Sequence, residues 1–205
     1  MARSERLTAF GQSHSPSVVD RFGVWLSARA LRRELGSPAG KRLGDFGCGY
    51  QATFARSVLD DVASAVLVDV ALADDLKAHR RVTAIEGQLP AALAAVPDGS
   101  LDAVLFVSVL EHLSEPLEAL RELRRVTASG GVCLTNVPSW RGKRFLEFSA
   151  FRLGLSPREE MDDHKRYYDP RELWPLLVAA GFIPHGIRCH RHKFALNTFA
   201  ACRVD

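Results

Sequence analysis

Five short, almost unbroken apolar runs recur through this 205-residue chain, at 41–46, 64–69, 81–86, 101–107 and 131–137. Such a run has no water-facing side. It is the pattern of a strand covered on both faces, as in a parallel sheet. Parallel strands need long crossovers, and helices fit between the runs at about 51–60, 71–79, 88–95 and 116–128. In the last of these, Pro116 suits a first-turn position, Leu117, Leu120 and Leu123 form an apolar stripe, and Gly130-Gly131 is expected to close the end. This rhythm predicts an α/β, doubly wound sheet with ligands at the carboxyl ends of its strands.

The flanks differ. Residues 1–37 read as a polar arm and a helix capped by Ser17, with Val18, Phe22, Trp25, Leu26 and Leu31 on or near one face. After Pro138 the rhythm stops, and 138–169 reads as an insert carrying Trp140, Phe145, Phe148, Phe151, Tyr167 and Tyr168 among charges. Pro170 opens a further helix, and 182–203 reads as two strands around a turn near His192-Lys193. The length predicts one domain over 1–205. No apolar run reaches membrane-spanning length, and Met1–Arg6 lacks the apolar stretch of a signal peptide. Four unpaired-looking cysteines agree with a cytoplasmic protein.

The chemistry concentrates at Arg42-Leu43-Gly44-Asp45-Phe46-Gly47-Cys48-Gly49-Tyr50. A buried strand ends in an acid and turns through Gly-x-Gly, where a ligand can approach the backbone closely. Nucleotide turns of this kind usually present amide N–H groups to phosphate. A carboxylate two residues before the first glycine repels phosphate and suits a nucleoside with a cationic tail. Charge is distributed to match: +5 over residues 1–42, −6 over 43–137 and +4 over 138–205. An acidic middle favours a cationic ligand, and basic ends favour an anionic one.

With Asp45-Phe46-Gly47-Cys48-Gly49, Val68-Asp69, Ser108-Val109-Leu110-Glu111-His112-Leu113, Gly130-Gly131 and Asp163-His164-Lys165-Arg166-Tyr167-Tyr168-Asp169-Pro170 in order, the chain resembles the class I S-adenosylmethionine-dependent methyltransferases over about 40–203. The resemblance implies a mostly parallel seven-stranded sheet with an antiparallel C-terminal strand. It implies S-adenosylmethionine as cofactor, with Asp45, Gly47, Cys48 and Gly49 at its amino-acid end. Asp69 would accept the ribose hydroxyls and Val70 would pack on adenine. Glu86 or Gly87 would lie near the adenine amino group, and Ser108 and Val109 near the methionine part. His112 and His164 are the candidate bases. Trp140, Arg141, Arg144, Tyr167 and Tyr168 are the candidate acceptor-binding residues. Gln51 stands where many members carry a third glycine.

Gly47-x-Gly49-x-x-Ala52 followed by Asp69 also matches a dinucleotide fingerprint, so a nicotinamide oxidoreductase is the competing enzyme class. Asp45 would then face a pyrophosphate, which argues against it. A non-catalytic binding module with the same fold is the other alternative. The chain has no Asn-Pro-Pro-Tyr or Asp-Pro-Pro-Tyr segment, so nucleic acid is not the expected partner. His185, Cys189, His190, His192 and Cys202 lack the paired spacing of a metal site. The expected acceptor is a small, anionic molecule methylated on oxygen, a sugar or related biosynthetic intermediate.

Overall fold

The computed structural model describes residues 9–12, 18–148 and 166–205. His164, with Phe151, Asp162 and Asp163, lies outside them. Seven strands form one sheet: β1 Arg42–Phe46, β2 Ser64–Asp69, β3 Val82–Glu86, β4 Leu101–Val107, β5 Thr127–Pro138, β6 Ile187–His192 and β7 Asn197–Arg203. Their order is β3-β2-β1-β4-β5-β7-β6. β1 to β5 pair parallel, and β7 runs antiparallel between β5 and β6. This is the predicted α/β sheet with its antiparallel C-terminal strand.

The helices are α1 Val18–Leu35, α2 Thr53–Arg56, α3 Asp74–Lys77, α4 Pro116–Val126, α5 Trp140–Phe148 and α6 Pro170–Ala179. They divide the core in two. One cluster gathers Phe46, Phe106, Leu120 and Leu123 with Leu173 and Leu177 of α6. The other gathers Leu43, Leu67, Leu105 and Phe199 with Leu31 and Leu35 of α1. The inward stripe of α1 is Ser27, Leu31 and Leu35, one turn apart, while Trp25 is exposed. Of the expected apolar face, Leu31 is buried and Leu26 half-buried, Trp25 turns outward, and the side chains of Val18 and Phe22, with Ser17, lie outside the described residues.

Three expected crossover helices are shorter than read. α2 and α3 are four-residue turns, and 88–95 holds only a 3-10 turn at Ala91–Ala95. At 57–63 the chain passes through turns holding the adjacent acids Asp60 and Asp61, which compete with helix hydrogen bonding. Gly130 does not close α4. The helix ends at Val126, and the chain enters β5 directly, bulging where the β4 register passes from Leu101↔Thr127 to Ala103↔Val132. The regular ladder therefore starts at Val132, one residue from the predicted start.

Candidate functional site

The carboxyl ends of β1, β2, β4 and β5 meet along one edge of the sheet, with the β6–β7 hairpin tip beside them, since Pro138 pairs with Asn197. The Gly-x-Gly turn leaves β1 there. Gly47 and Gly49 take φ of +70° and +74°, the left-handed region that glycine adopts without a Cβ penalty. A Cβ on Gly47 would overlap Cγ2 of Val109. Gln51 needs no glycine, because the left-handed residue falls one position later, at Ala52 with φ of +40°. The missing third glycine is thus absorbed by a shift of the turn.

Two carboxylates flank the turn. Asp45 is buried, and desolvation pushes its carboxyl up to about 7. An N–H bond from Ala55 of α2 opposes that rise, and the neighbouring charge of Asp69 adds to it. Asp45 thus combines a helix-capping bond with a half-neutralised buried acid, an arrangement that a bound cation would stabilise. Asp69 accepts from the N–H of Gly49 through Oδ2 (2.7 Å) and from the N–H of Val70 through Oδ1 (2.8 Å). Both carboxylate oxygens of Asp69 are thus fixed at the glycine turn and the start of the loop after β2. The Ala73 N–H bonds to Tyr50 O (3.0 Å), tying the loop after β2 to the turn.

Cys48 is half-buried, with its Sγ–H directed at Val68 O (3.8 Å). Burial pushes its thiol well above the ordinary range, so it stays neutral. Glu86 is exposed and accepts from the Leu72 N–H (2.8 Å) and from Lys77 (3.3 Å), which hold its carboxyl below the usual range. Its Oε1 therefore fastens the loop carrying Val70. Gly87 donates to Asp69 O (2.9 Å).

Ser108 leaves β4 exposed and left-handed, with φ of +56°. A non-glycine residue in that region costs about 1–3 kcal/mol and is typical of functional turns. Val109 packs on Gly47, and His112 sits half-buried in the 3-10 turn Leu110–His112. Glu111, in the same turn, is almost fully buried.

The ends of the insert return to this floor. The Arg166 N–H reaches Glu111 O (3.3 Å), and the Tyr168 N–H reaches Pro138 O (3.0 Å). Trp140 and Tyr167 lie 5.6 Å apart between ring centroids. Lys143 Nζ stands 5.6 and 5.5 Å from those two rings. Trp140 Nε1 donates to Glu172 (2.9 Å). Arg141 and Arg144 are exposed on α5. Tyr167 and Tyr168 are both buried, and Tyr168 belongs to the same core cluster as Leu173.

Two participants escaped the sequence reading. The Phe10 carbonyl accepts from the Tyr50 N–H (2.9 Å), which lays 9–12 on the glycine turn. No local pattern predicts that long-range contact. Lys193 is the other. Burial lowers its amine to about 8, with the charge of Glu111 opposing that fall. The sequence marked it only as a turn residue. Among the described residues, no group of three or more His, Cys, Asp or Glu is arranged to hold a metal. No described helix is long and apolar enough to cross a membrane.

A family model described as a methyltransferase domain matches residues 20–184. The chain is 28% identical over 142 residues to a probable S-adenosylmethionine-dependent methyltransferase of Mycobacterium tuberculosis, covering 67% of this chain and 47% of that protein. It is 27% identical over 180 residues to a ubiquinone biosynthesis O-methyltransferase of Psychrobacter arcticus, covering 82% and 69%. A solved S-adenosylmethionine-dependent methyltransferase from Archaeoglobus fulgidus superposes with a TM-score of 0.64 at 14% identity, covering 91% of this chain and 99% of that one, a likeness of fold. The chain spans about half the length of the mycobacterial relative. With the glycine turn and its two acids arranged as described, the chain belongs to the S-adenosylmethionine-dependent methyltransferase domain family.

Proposed function

We propose that this domain transfers a methyl group from S-adenosylmethionine to an oxygen of a small, anionic acceptor, a sugar or related biosynthetic intermediate. The observation that carries the reading is the pair of carboxylates at the Gly-x-Gly turn. Asp45 is buried beside Asp69, and both would be relieved by a ligand that brings a cation to one and hydroxyls to the other. Asp45, whose charge would face it, disfavours the pyrophosphate of a nicotinamide cofactor. The oxygen preference draws on the O-methyltransferase named among the relatives.

S-adenosylmethionine supplies an electrophilic methyl on a sulfonium. The protein binds, aligns and excludes water. Asp45 would hold the ammonium and Asp69 the ribose. Val109, wedged on Gly47, sets the height of the floor, and Ser108 and Val109 border the methionine part. His112 would take the hydroxyl proton of the acceptor as the oxygen–methyl bond forms and the sulfonium–methyl bond breaks, leaving the neutral thioether of S-adenosylhomocysteine. The acceptor enters over α5, where Trp140, Arg141, Lys143, Arg144 and Tyr167 offer rings and positive charge.

Calorimetric titration with S-adenosylhomocysteine tests the reading. Saturable one-to-one binding is expected, and Asp45→Ala and Asp69→Ala should each weaken it by about tenfold or more, the value of one charge-assisted hydrogen bond. Unchanged affinity in both variants would remove the site, and a bound nicotinamide seen by absorbance would transfer the fold to the competing class.

A further inference from the structure

Lys193 lies at the tip of the β6–β7 hairpin, and the β5–β7 register brings that tip to the edge where β4 and β5 end. Its Nζ lies 3.7 Å from the point that a Cβ on Gly23 would occupy, so it runs beneath α1. The negative charge of Glu111, in the floor turn, acts on it there and opposes the fall that burial imposes. The charge acting on it is that of Glu111 from the floor turn, and its own charge in turn lowers the neighbouring His192.

Three consecutive non-glycine residues at the tip, Lys193, Phe194 and Ala195, are left-handed, with φ of +48°, +58° and +66°. A glycine-containing turn would avoid that strain. The tip is already anchored without the lysine, by the Ser139 N–H to Leu196 O (2.9 Å) and Ser139 Oγ to Ala195 O (2.7 Å). The lysine side chain is therefore not needed to fasten the hairpin. The strained tip brings residue 193 to the edge where β4 and β5 end, with its Nζ beneath α1. The Trp140–Tyr167 rings and Lys143 stand at the same corner, where Ser139 opens α5.

We propose that Lys193 is a substrate-binding residue whose ammonium, seated between α1 and Glu111, receives the anionic group of the acceptor, a phosphate or a carboxylate. This rests on the methyltransferase reading above and narrows its acceptor to a molecule carrying such a group near the methylated oxygen. Glu111 is then the positioning residue that holds the ammonium in place between turnovers.

Pyridoxal 5′-phosphate is the probe, since it joins a phosphate to an amine-reactive aldehyde. The full chain is treated at pH 8 with S-adenosylhomocysteine present, reduced with borohydride and mapped by peptide mass. Lys193 should be modified about tenfold or more faster than Lys77, whose amine Asp74 and Glu86 hold charged while burial lowers that of Lys193. Inorganic phosphate or benzoate should slow it, Glu111→Gln should move the pH midpoint of its labelling downward, and Lys193→Met should lose this fast site while still binding S-adenosylhomocysteine. An unlabelled Lys193 beside labelled surface lysines, or labelling indifferent to both anions and to Glu111→Gln, overturns the proposal. Failure of S-adenosylhomocysteine to bind the wild-type chain instead overturns the methyltransferase reading, and the labelling pattern tells the two apart.

Discussion

At Gly47 two constraints coincide. Its φ is +70°, and a Cβ there would run into Val109. Gly47→Ala therefore combines backbone strain of about 1–2 kcal/mol with overpacking of about 1–3 kcal/mol. It should lower the melting temperature and weaken S-adenosylhomocysteine, because the Val109 floor must shift. Val109→Ala in the same chain should recover part of both, read by thermal denaturation and calorimetry. The glycines and the acids Asp45 and Asp69 were legible in the sequence because their chemistry is local: a turn that needs positive φ, and charges fixed to strand ends. Glu86 was legible only as a carboxylate near the site. Its partner, the Leu72 N–H, belongs to the crossover from a neighbouring strand. Lys193 was legible only as a turn residue, since its burial and the charge of Glu111 acting on it depend on how distant segments pack.

The hairpin of β6 and β7 shows where element-level patterning stops. Alternation and the His192-Lys193 turn marked two strands, and both exist, but nothing in the text revealed three left-handed residues in a row at the tip. Phe194 is 82% exposed with φ of +58°, so its side chain contributes little to the core. Phe194→Gly should leave stability unchanged or raise it by up to about 1 kcal/mol, relief of strain offsetting the entropy that glycine adds to the unfolded chain. A fall of several degrees in melting temperature would mean that Phe194 packs against something essential. The crossover helices fail for a related reason. Apolar spacing marked 51–60 and 71–79 as helical, but the structure builds only four residues of each, around Ala55 and Leu76, and spends the rest on turns. In contrast, α4 has a strong stripe of Leu120, Leu123 and Val126, all fully buried, and was readable nearly to its ends.

Across the whole molecule, the buried acid and the buried amine leave opposite marks on stability. The folded-state value of Asp45, about 7, lies above its ordinary 3.8, so the native state binds the extra proton. Its contribution is present below pH 4 and is lost as pH rises towards 7. Lys193 is lowered to about 8 from 10.5, so its burial penalty applies below pH 8 and is relieved as pH rises towards 10.5. A ligand cation beside Asp45 reverses the first effect by stabilising the charged form. The stabilisation given by saturating S-adenosylhomocysteine should therefore grow between pH 5.5 and 7.5, by up to about 1.4 kcal/mol for each unit that the Asp45 value falls on binding. Binding measured near pH 6.5 in two buffers of different ionisation enthalpy should release protons, up to one per site. Asp45→Asn, which keeps the shape and the Ala55 bond but not the titration, should abolish both the pH slope and the proton release. A slope that persists in Asp45→Asn would assign the coupling to another group and leave Asp45 as a helix cap alone.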